Sequence, residues 1–227
     1  MIDQILTVNK PSGWTSHDVV AFYRKKLSAV HGGQRVKVGH AGTLDPFATG
    51  VLLLLIGDAT KSFQELLKLE KEYELVVELG WATDTGDLEG KVTKKLSKKE
   101  IKKILPITDY RLLITKTLKS FLGEYTQTVP MYSAVKIKGK KLYQYARKGK
   151  KVDQPKRKVK IKEIELLKGE CWPRFKIRVV CSSGTYMRQL AVDIGQKLAL
   201  PAVAVQLCRT RVGNYKLSEA EEVVKLN

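Results

Sequence analysis

A loop rich in glycine, followed at once by an apolar run, constrains the fold of this chain more than any other segment. Residues 39–50 read GHAGTLDPFATG, and six aliphatic residues, Val51–Ile56, follow directly. A run of this length without a polar residue predicts a strand that is covered on both faces. The segment therefore predicts a loop held rigidly at the beginning of a buried strand.

This loop carries one carboxylate, Asp45. Pro46 favours an extended conformation at Asp45, and Gly39, Gly42 and Gly50 allow sharp turns or the close approach of a ligand. A carboxylate on a rigid rim is suited to act as a nucleophile or a general base. The same pattern also fits an Asx-type turn before a core strand, and the segment alone leaves both interpretations open.

Length and composition exclude several classes of protein. The 227 residues are enough for one large domain or two small ones, and 43% apolar with 29% charged residues is typical of ordinary soluble proteins. The longest aliphatic run, Val51–Ile56, is too short to cross a bilayer, and the N-terminal residues do not resemble a secretory signal. The three cysteines form no C-x-x-C pair, so we expect no disulfide framework, no zinc site and a cytoplasmic location.

The positive charge of the chain, +19 in total, is concentrated in two segments. The large basic segment, Lys136–Lys162, contains thirteen Lys or Arg residues and one acid, and the small basic segment, Lys91–Lys103, contains seven lysines and one acid. This concentration indicates nucleic acid or an acidic membrane surface as a partner, unless the lysines only form a solvated surface. Interleaved tyrosines favour unpaired bases over lipid; they are Tyr132, Tyr143 and Tyr145.

Apolar spacing predicts helices that alternate with strands. Ser16 and Asp18 are candidate N-caps for a helix that runs through Leu27, and an apolar stripe predicts a helix over Met187–Leu198. The other predicted helices are Asp58–Leu69, with Phe63, Leu66 and Leu67 on one side, and Ser97–Leu105, which ends at Pro106.

Alternating apolar and polar residues predict strands over Tyr73–Trp81 and Phe175–Cys181. Lys116–Tyr125 also has an extended pattern, and Val129–Gly149 is predicted to be a basic hairpin or loop. Strands separated by single helices predict an α+β fold, with a mixed and largely antiparallel sheet flanked by helices and loops.

Two side chains have more than one interpretation. Arg188 lies in the first turn of its predicted helix, roughly 100° from the centre of the apolar stripe. It is either an ordinary surface arginine or a partly buried one that pairs with a carboxylate. Tyr73 begins its strand on the apolar face, which fits either a core tyrosine or the wall of a pocket.

Seven short motifs along the chain occur together in one enzyme family. They are Asn9–Ser16, Gly39–Gly50, Gly57–Lys61, Lys71–Tyr73, Thr83–Asp87, Cys181–Arg188 and Leu207–Gly213. In this order they resemble the TruB-type tRNA pseudouridine synthases, and the resemblance extends from about Thr7 to Tyr215. The resemblance implies the pseudouridine synthase fold and the isomerisation of uridine 55 in the T loop of tRNA.

The resemblance also implies catalytic roles. Asp45 matches the aspartate that attacks the nucleoside, after which the freed uracil rejoins the ribose through carbon 5 without cofactor or metal. Tyr73 matches the tyrosine that stacks on the target base and moves a proton in the final step. Arg188 matches the arginine that pairs with the aspartate and fixes its direction. The sequence leaves open whether the aspartate attacks the ribose or removes one of its protons.

Substrate contacts follow from the same resemblance. His40 would fill space vacated by the flipped nucleotide, Leu207 would line the pocket and Lys10 would brace the catalytic loop. An unpaired T loop lowers the cost of flipping the base. The implied substrate-binding residues are Lys10, His40, Gly42, Thr43 and Leu207. The implied contacts with the RNA backbone are Lys136, Lys138, Lys140, Lys141 and Arg147.

We expect one catalytic domain over residues 1–215, with an RNA-gripping segment at about residues 129–162, and a short tail over residues 216–227. Many family members continue into an RNA-binding domain of the PUA type, for which Asn214–Asn227 is too short. The expected partner is the T arm of tRNA, with no membrane and no obligatory protein partner. The protein is expected to be a monomer.

Two other functions remain compatible with the residues. The chain could be a basic RNA-binding protein or RNA chaperone that keeps the fold without turnover. It could also perform the same chemistry on another RNA, as guide-directed relatives do. All catalytic positions carry the expected residue types, which favours the enzyme over the RNA-binding protein. Guide-directed relatives carry the C-terminal domain for which Asn214–Asn227 is too short, which argues against the second alternative.

Overall fold

The computed structural model describes residues 3–105, 110–150 and 152–223. The chain forms two compact units, of which the first comprises residues 1–74 and 207–227 and the second comprises residues 75–206. The boundaries fall inside the strands Lys71–Leu79 and Ala202–Val212. The predicted helix end at Pro106, Lys151 of the large basic segment and residues 224–227 of the predicted tail lie outside the described residues.

The described chain consists of short helices and strands in mixed order. The strands are β1 (Gln4–Lys10), β2 (Val38–Ala41), β3 (Thr49–Ile56), β4 (Lys71–Leu79), β5 (Trp81–Thr83), β6 (Val92–Lys95), β7 (Gly123–Thr128), β8 (Lys136–Ile137), β9 (Lys140–Lys141), β10 (Lys156–Leu166), β11 (Arg174–Cys181), β12 (Ala202–Val212), β13 (Tyr215–Lys216) and β14 (Glu221–Glu222). The helices are α1 (Ser16–Val30), α2 (Phe63–Lys68), α3 (Lys98–Ile104), α4 (Tyr110–Lys119), α5 (Leu142–Arg147) and α6 (Met187–Lys197), with 3₁₀ turns at Gly57–Ser62 and Leu217–Glu219. The predicted α+β class is confirmed.

In the first unit, the sheet is built around β3. Strand β1 pairs with it antiparallel along its length, and β2 and β12 pair with its other edge, antiparallel and parallel respectively. Leu52 and Leu54 of β3 pack in one apolar cluster with side chains of α1. Leu53 and Leu55 pack in another cluster with Leu66 of α2. The prediction that this strand is covered on both faces is confirmed.

The N-terminus of α1 differs from the prediction. The N-cap is Thr15, whose hydroxyl accepts a hydrogen bond from the backbone N–H of Asp18, while the Asp18 carboxylate accepts one from Thr15 N at 2.8 Å. This reciprocal pair is a capping box. Ser16 was a candidate cap because of its residue type, but its buried hydroxyl instead bonds to the backbone of Leu44.

In the second unit, antiparallel strands β7, β10 and β11 follow one another, and β11 neighbours β4. The predicted strand over Phe175–Cys181 is confirmed, because its four alternating apolar side chains are all buried. Helix α6 buries the predicted stripe, which consists of Met187, Leu190, Ala191, Ile194 and the following Leu198. No helix among the described residues has the length and apolar content needed to cross a membrane.

One prediction in the second unit is wrong. Lys116–Tyr125 is not extended throughout, because α4 continues to Lys119 and β7 begins only at Gly123. Ile114 and Leu118 are four residues apart and both fully buried, which is the spacing of a helix that packs on one side. The predicted segment begins at Lys116 and so excludes Ile114, without which the helical spacing is not visible.

Three other predictions are corrected in detail. The helix expected over Asp58–Leu69 is a 3₁₀ turn followed by the short α2, and Phe63 is exposed at its start. The strand from Tyr73 ends at Leu79, because Gly80 has a φ of +99°, and Trp81 begins β5. The basic hairpin is confirmed in β8 and β9, but α5 follows it.

Gly50 supplies a test of the packing around β3. Its φ is +104°, and a Cβ added there would lie 2.3 Å from the backbone oxygen of Arg209 on β12. We therefore expect Gly50→Ala to lower the free energy of unfolding by at least about 2 kcal/mol, since a strained φ is combined with a rigid backbone clash. Gly33→Ala is the matched control, because its φ is also positive but its Cβ would meet nothing. Urea denaturation measures both, and equal losses would contradict the proposed close approach of β3 and β12.

Candidate active site

Asp45 lies in a short loop that joins β2 to β3 in the first unit. We name residues 42–48 the aspartate loop. Asp45 itself is half-buried, and its carbonyl oxygen accepts a hydrogen bond from Ala48 N at 3.1 Å. This bond closes a tight turn immediately before the buried strand, so the position of the carboxylate depends on what holds the loop.

Lys10 holds the loop from β1. The side chain is fully buried, and its ammonium donates hydrogen bonds to the carbonyl oxygens of Pro11 at 2.8 Å, Trp14 at 2.6 Å and Pro46 at 3.1 Å. The backbone N–H of Gly13 donates to the same Pro46 oxygen at 2.8 Å. Because a buried ammonium is stable only with such acceptors, Lys10 fixes the residue that directly follows Asp45.

Two serines bind the loop on either side of Asp45. The hydroxyl of Ser16 accepts from Leu44 N at 2.9 Å and is 3.3 Å from the Leu44 carbonyl oxygen. The hydroxyl of Ser12 donates to the carbonyl of Phe47 at 3.1 Å. Together with Lys10, these residues bond to the backbone immediately before and after the catalytic candidate.

Arg209 is a supporting residue that the sequence analysis did not select. It is 1% exposed, and its guanidinium donates from Nε to the carbonyl of Val51 at 2.7 Å and from Nη2 to the carbonyl of Gly42 at 2.9 Å. It therefore links the beginning of the aspartate loop to the strand that follows it. The signal in the sequence was a charged residue on the apolar face of β12, two residues after the buried Leu207.

The two buried cations occupy one register position of the sheet. Gly50 pairs with Lys10 on β1 and with Arg209 on β12, so one cation lies on each side of it. Each side chain then bonds to a different end of the aspartate loop. This arrangement gives the loop two charge-assisted anchors, which are stronger than neutral hydrogen bonds.

His40 is half-buried on β2, and its ring contacts the ring of His17 edge-on, with 5.4 Å between centroids. Burial, and then the positive charges of His17 and Arg209, lowers the pKa of His40 from 6.5 to about 4. Its buried Nδ1 has no hydrogen-bond partner among the described residues. His40 is therefore a neutral, flat ring at physiological pH, which suits stacking rather than attraction of phosphate.

The remaining predicted residues of the first unit have defined positions. Tyr73 is 8% exposed on β4, and Leu207 is 5% exposed on β12. Gly42 is half-buried with a φ of +84°, and Thr43 is exposed beside it. The substrate contacts of these residues stay predictions.

Arg188 lies in the second unit, at the beginning of α6, and is 5% exposed. Its Nε is 3.3 Å from an oxygen of the buried Asp87, Nη1 donates to the carbonyl of Thr85 at 2.8 Å, and Nη2 donates to the carbonyl of Tyr132 at 2.9 Å. The second oxygen of Asp87 accepts from the Thr85 hydroxyl at 2.6 Å. The guanidinium therefore has a fixed orientation. Two residues of the motif Thr83–Asp87 and the carbonyl of Tyr132 fix it, and the pairing of Arg188 with Asp45 stays a prediction.

The segment that includes Tyr132 continues into the large basic segment. The carbonyl of Ser133 accepts from Tyr143 N at 3.1 Å, in the first turn of α5. The predicted backbone contacts Lys136, Lys138, Lys140 and Arg147 are exposed, and Lys141 is half-buried. Their hairpin turns tightly because Lys138 and Gly139 both have positive φ.

The tyrosines of this segment differ in their roles. The hydroxyl of Tyr145 donates to the carbonyl of Ile137 at 3.2 Å, which packs α5 against the hairpin. The ring of Tyr143 lies 5.5 Å from Lys141 Nζ and 5.3 Å from the guanidinium carbon of Arg147. These two cations are thereby held close to one aromatic surface.

The first unit thus presents a carboxylate on a fixed loop, and a neutral imidazole on the strand that precedes this loop. This arrangement suits nucleophilic or general-base chemistry, because the reacting group keeps its direction. Among the described residues, no group of three Asp, Glu, His or Cys side chains is placed to bind a metal ion.

Comparison with known proteins assigns the chain to a family. The matching family model is described as TruB family pseudouridylate synthase, N-terminal domain, and it covers residues 25–187. This chain belongs to the TruB family. The tRNA pseudouridine synthase B of Parabacteroides distasonis is 45% identical over 216 residues, which are 94% of this chain and 87% of the relative. That of Bacteroides fragilis is 44% identical over 98% of this chain and 91% of the relative.

Solved structures agree with this assignment. A chain in a crystal structure of a Cbf5-Nop10-Gar1 complex has a TM-score of 0.68 and 30% identity over 96% of this chain. A chain in an H/ACA RNP bound to a substrate RNA containing 2′-deoxyuridine has a TM-score of 0.64 and 28% identity. This chain spans about half of each, 52% and 50%. The pseudouridine synthase fold implied by the TruB resemblance is confirmed.

The lowered pKa of His40 predicts how stability depends on pH. Between pH 6.5 and 4, the unfolded chain binds a proton at this position that the folded chain does not bind, so acidification favours unfolding. His40→Gln removes this proton uptake. From pH 7 to pH 4.5, the wild type should therefore lose more unfolding free energy than His40→Gln, by on the order of 2 kcal/mol. Urea denaturation at both pH values measures this difference, and parallel losses would show that His40 titrates normally.

Proposed function

We propose that this TruB-family enzyme isomerises uridine to pseudouridine at position 55 in the T loop of tRNA. The observation that carries the proposal is Asp45 on a loop fixed by two buried cations, in a chain 42–45% identical to proteins named tRNA pseudouridine synthase B. A nucleophile or base needs this kind of positional control, because the reacting atoms must be held near their reactive geometry.

The isomerisation exchanges one bond for another within the nucleoside. The bond from ribose C1′ to uracil N1 breaks, the uracil turns, and a bond from C1′ to C5 forms. The proton on C5 must then leave, and N1 regains a proton, so the product is an isomer of the substrate. Asp45 acts at the ribose, either by attack or by removal of a proton. We assign to Tyr73 the stacking on the target base and the movement of the final proton that the TruB resemblance implies.

Arg188 serves the reaction as a fixed cation. Its guanidinium is held from three directions, by Asp87, Thr85 and Tyr132. Little side-chain conformational entropy is therefore lost when Arg188 acts in the reaction. We assign it the pairing with the catalytic aspartate that the TruB resemblance implies. A planar, bidentate group suits this role better than a flexible ammonium.

RNA binding is assigned to a different part of the chain from the chemistry. Five basic side chains bind phosphates of the T arm and hold the T loop while the target base leaves its stack. They are the exposed Lys136, Lys138, Lys140 and Arg147, and the half-buried Lys141. Phosphate contacts position the RNA without reading its sequence. Selection of one uridine then depends on the shape of the T loop and on Gly42, Thr43, His40 and Leu207.

The enzyme acts as a monomer without an obligatory protein partner, in the cytoplasm. Its three cysteines are thiols rather than disulfides, which fits a reducing compartment. The structural neighbour in the Cbf5-Nop10-Gar1 complex is crystallised with other proteins, so the purified chain alone must be tested. Activity of a monomeric fraction from size-exclusion chromatography supports this assignment, and activity only after addition of other proteins contradicts it.

Asp45→Asn tests the chemical role of the carboxylate. The amide keeps the size of the side chain, so folding and RNA binding should persist, while pseudouridine formation should become undetectable because an amide neither attacks nor accepts the proton. Asp58→Asn is the matched control, since the side chain of Asp58 is exposed and pairs with Lys61 at the surface. Multiple turnover by Asp45→Asn would refute the assignment.

Tyr73→Phe and Arg188→Lys separate binding from chemistry. Phe keeps the stacking surface and Lys keeps the charge, so RNA affinity should change little. Single-turnover rates at saturating RNA should fall by at least about 100-fold. Tyr73→Phe loses the hydroxyl that transfers a proton, and Arg188→Lys loses the planar, bidentate guanidinium. A wild-type rate for either variant would show that its assigned role is wrong.

Neutralising the hairpin lysines tests the RNA-binding assignment. In a variant with Lys136, Lys138, Lys140 and Lys141 changed to Gln, the slope of log affinity against log salt should flatten by about 0.7 to 0.9 for each phosphate that the protein no longer neutralises. The scattered control variant replaces four other exposed lysines with Gln, at Lys25, Lys68, Lys119 and Lys216. The scattered control variant should change the slope much less. Equal slopes for the two variants would show that the hairpin lysines form only a solvated surface and bind no phosphate.

A further inference from the structure

The small basic segment, Lys91–Lys103, is not used by the function proposed above. It forms β6 and α3 in the second unit, and all seven of its lysines are exposed. None of these lysines forms an ion pair with another described residue. They are Lys91, Lys94, Lys95, Lys98, Lys99, Lys102 and Lys103.

The one acid of this segment is committed to helix capping. Both Ser97 N and the Ser97 hydroxyl donate to the Glu100 carboxylate at 2.7 Å, and Glu100 N donates back to the Ser97 hydroxyl. These hydrogen bonds lower the pKa of Glu100, so it stays ionised. Its charge stabilises the beginning of α3, and the positive charge of Lys94 contributes a smaller part of the lowered pKa of Glu100.

Helix α3 is fixed to the second unit by an apolar contact. Ile101 is 6% exposed, and a Cβ added at Gly80 would overlap its side chain. The helix therefore lies directly on the backbone of Gly80 and presents its other side outwards. The lysines at positions i, i+1, i+4 and i+5 share this outward side.

Helix stability explains only part of this arrangement: Lys102 and Lys103 lie in the last turn, where the helix dipole favours positive charge, but two other features are unfavourable. Like charges four residues apart repel, as in the pairs Lys98 with Lys102 and Lys99 with Lys103. Lys98 and Lys99 also occupy the first turn, where the helix dipole disfavours positive charge. The fold gives no reason for these two features, whereas an external polyanion would offset both penalties.

We propose that the lysine side chains of β6 and α3 form a second binding surface for RNA phosphates, distinct in sequence from the large basic segment. The proposal rests on the proposed function, because the polyanion is then the same tRNA. RNA fits better than a membrane, because α3 buries Ile101 within the fold, and the exposed large apolar side chains of β6 and α3, Val92 and Ile104, are single residues among lysines. A seven-residue helix of this kind keeps no broad apolar face for insertion into lipid.

The test variant replaces Lys98, Lys99, Lys102 and Lys103 with Gln. Binding of an unmodified tRNA transcript is measured between 50 and 200 mM salt, beside the scattered control variant, which removes the same total charge. We expect the test variant to flatten the slope of log affinity against log salt by about 2 to 3, so that its loss of affinity relative to the wild type is about 16- to 64-fold larger at 50 mM than at 200 mM salt. A further variant with Arg at the same four positions keeps the charges and should bind like the wild type.

Thermal unfolding separates RNA binding from a structural role. Removing two like-charge pairs should leave the melting temperature equal or higher, whereas a structural role for the lysines would lower it. The inference fails if the test variant has the slope of the scattered control. It also fails if the wild type binds phosphatidylserine vesicles through these lysines while its RNA affinity is independent of them.

Failure of this inference is distinguishable from failure of the proposed function. Pseudouridine formation by the wild type is measured on the same transcript. Product together with an unchanged salt slope refutes the second surface and leaves the enzyme assignment intact. A flattened slope without product supports an RNA-binding surface and refutes the assigned activity.

Discussion

The hydrogen bonds from two buried cations to the backbone of the aspartate loop are the interaction on which the site depends. Lys10 bonds to the residue after Asp45, and Arg209 bonds to the beginning of the loop at Gly42. Both cations flank Gly50 in the sheet, so the register of β1, β3 and β12 determines where the carboxylate lies. A buried cation without its carbonyl acceptors is costly, which makes any other loop position unfavourable.

The local parts of this arrangement could be predicted from the sequence. The run Val51–Ile56 predicted a strand covered on both faces, and the motif around Asp45 predicted its role through the TruB resemblance. Arg209 was not selected, because its partner Gly42 is 167 residues away and no local pattern indicates that distance. Similarly, Ser16 has the residue type of a cap, but its partner Leu44 is defined only by tertiary packing.

The chain separates two uses of positive charge. Lys10, Arg188 and Arg209 are buried and bonded to carbonyl oxygens, and Arg188 also pairs with a carboxylate, so these cations fix positions. The lysines of the two basic segments are largely exposed, so they can exchange counterions for phosphates. On the proposed function, the buried cations orient the reacting groups, and the exposed ones supply affinity for RNA.

The most direct test is to incubate the purified chain with an unmodified tRNA transcript and to map pseudouridine at nucleotide resolution. The proposed function predicts pseudouridine at position 55 and at no other uridine of the transcript. Tight binding without any pseudouridine would identify an RNA-binding protein that retains the fold. Pseudouridine at another position would show that the aspartate loop is catalytic but that the assigned substrate is wrong.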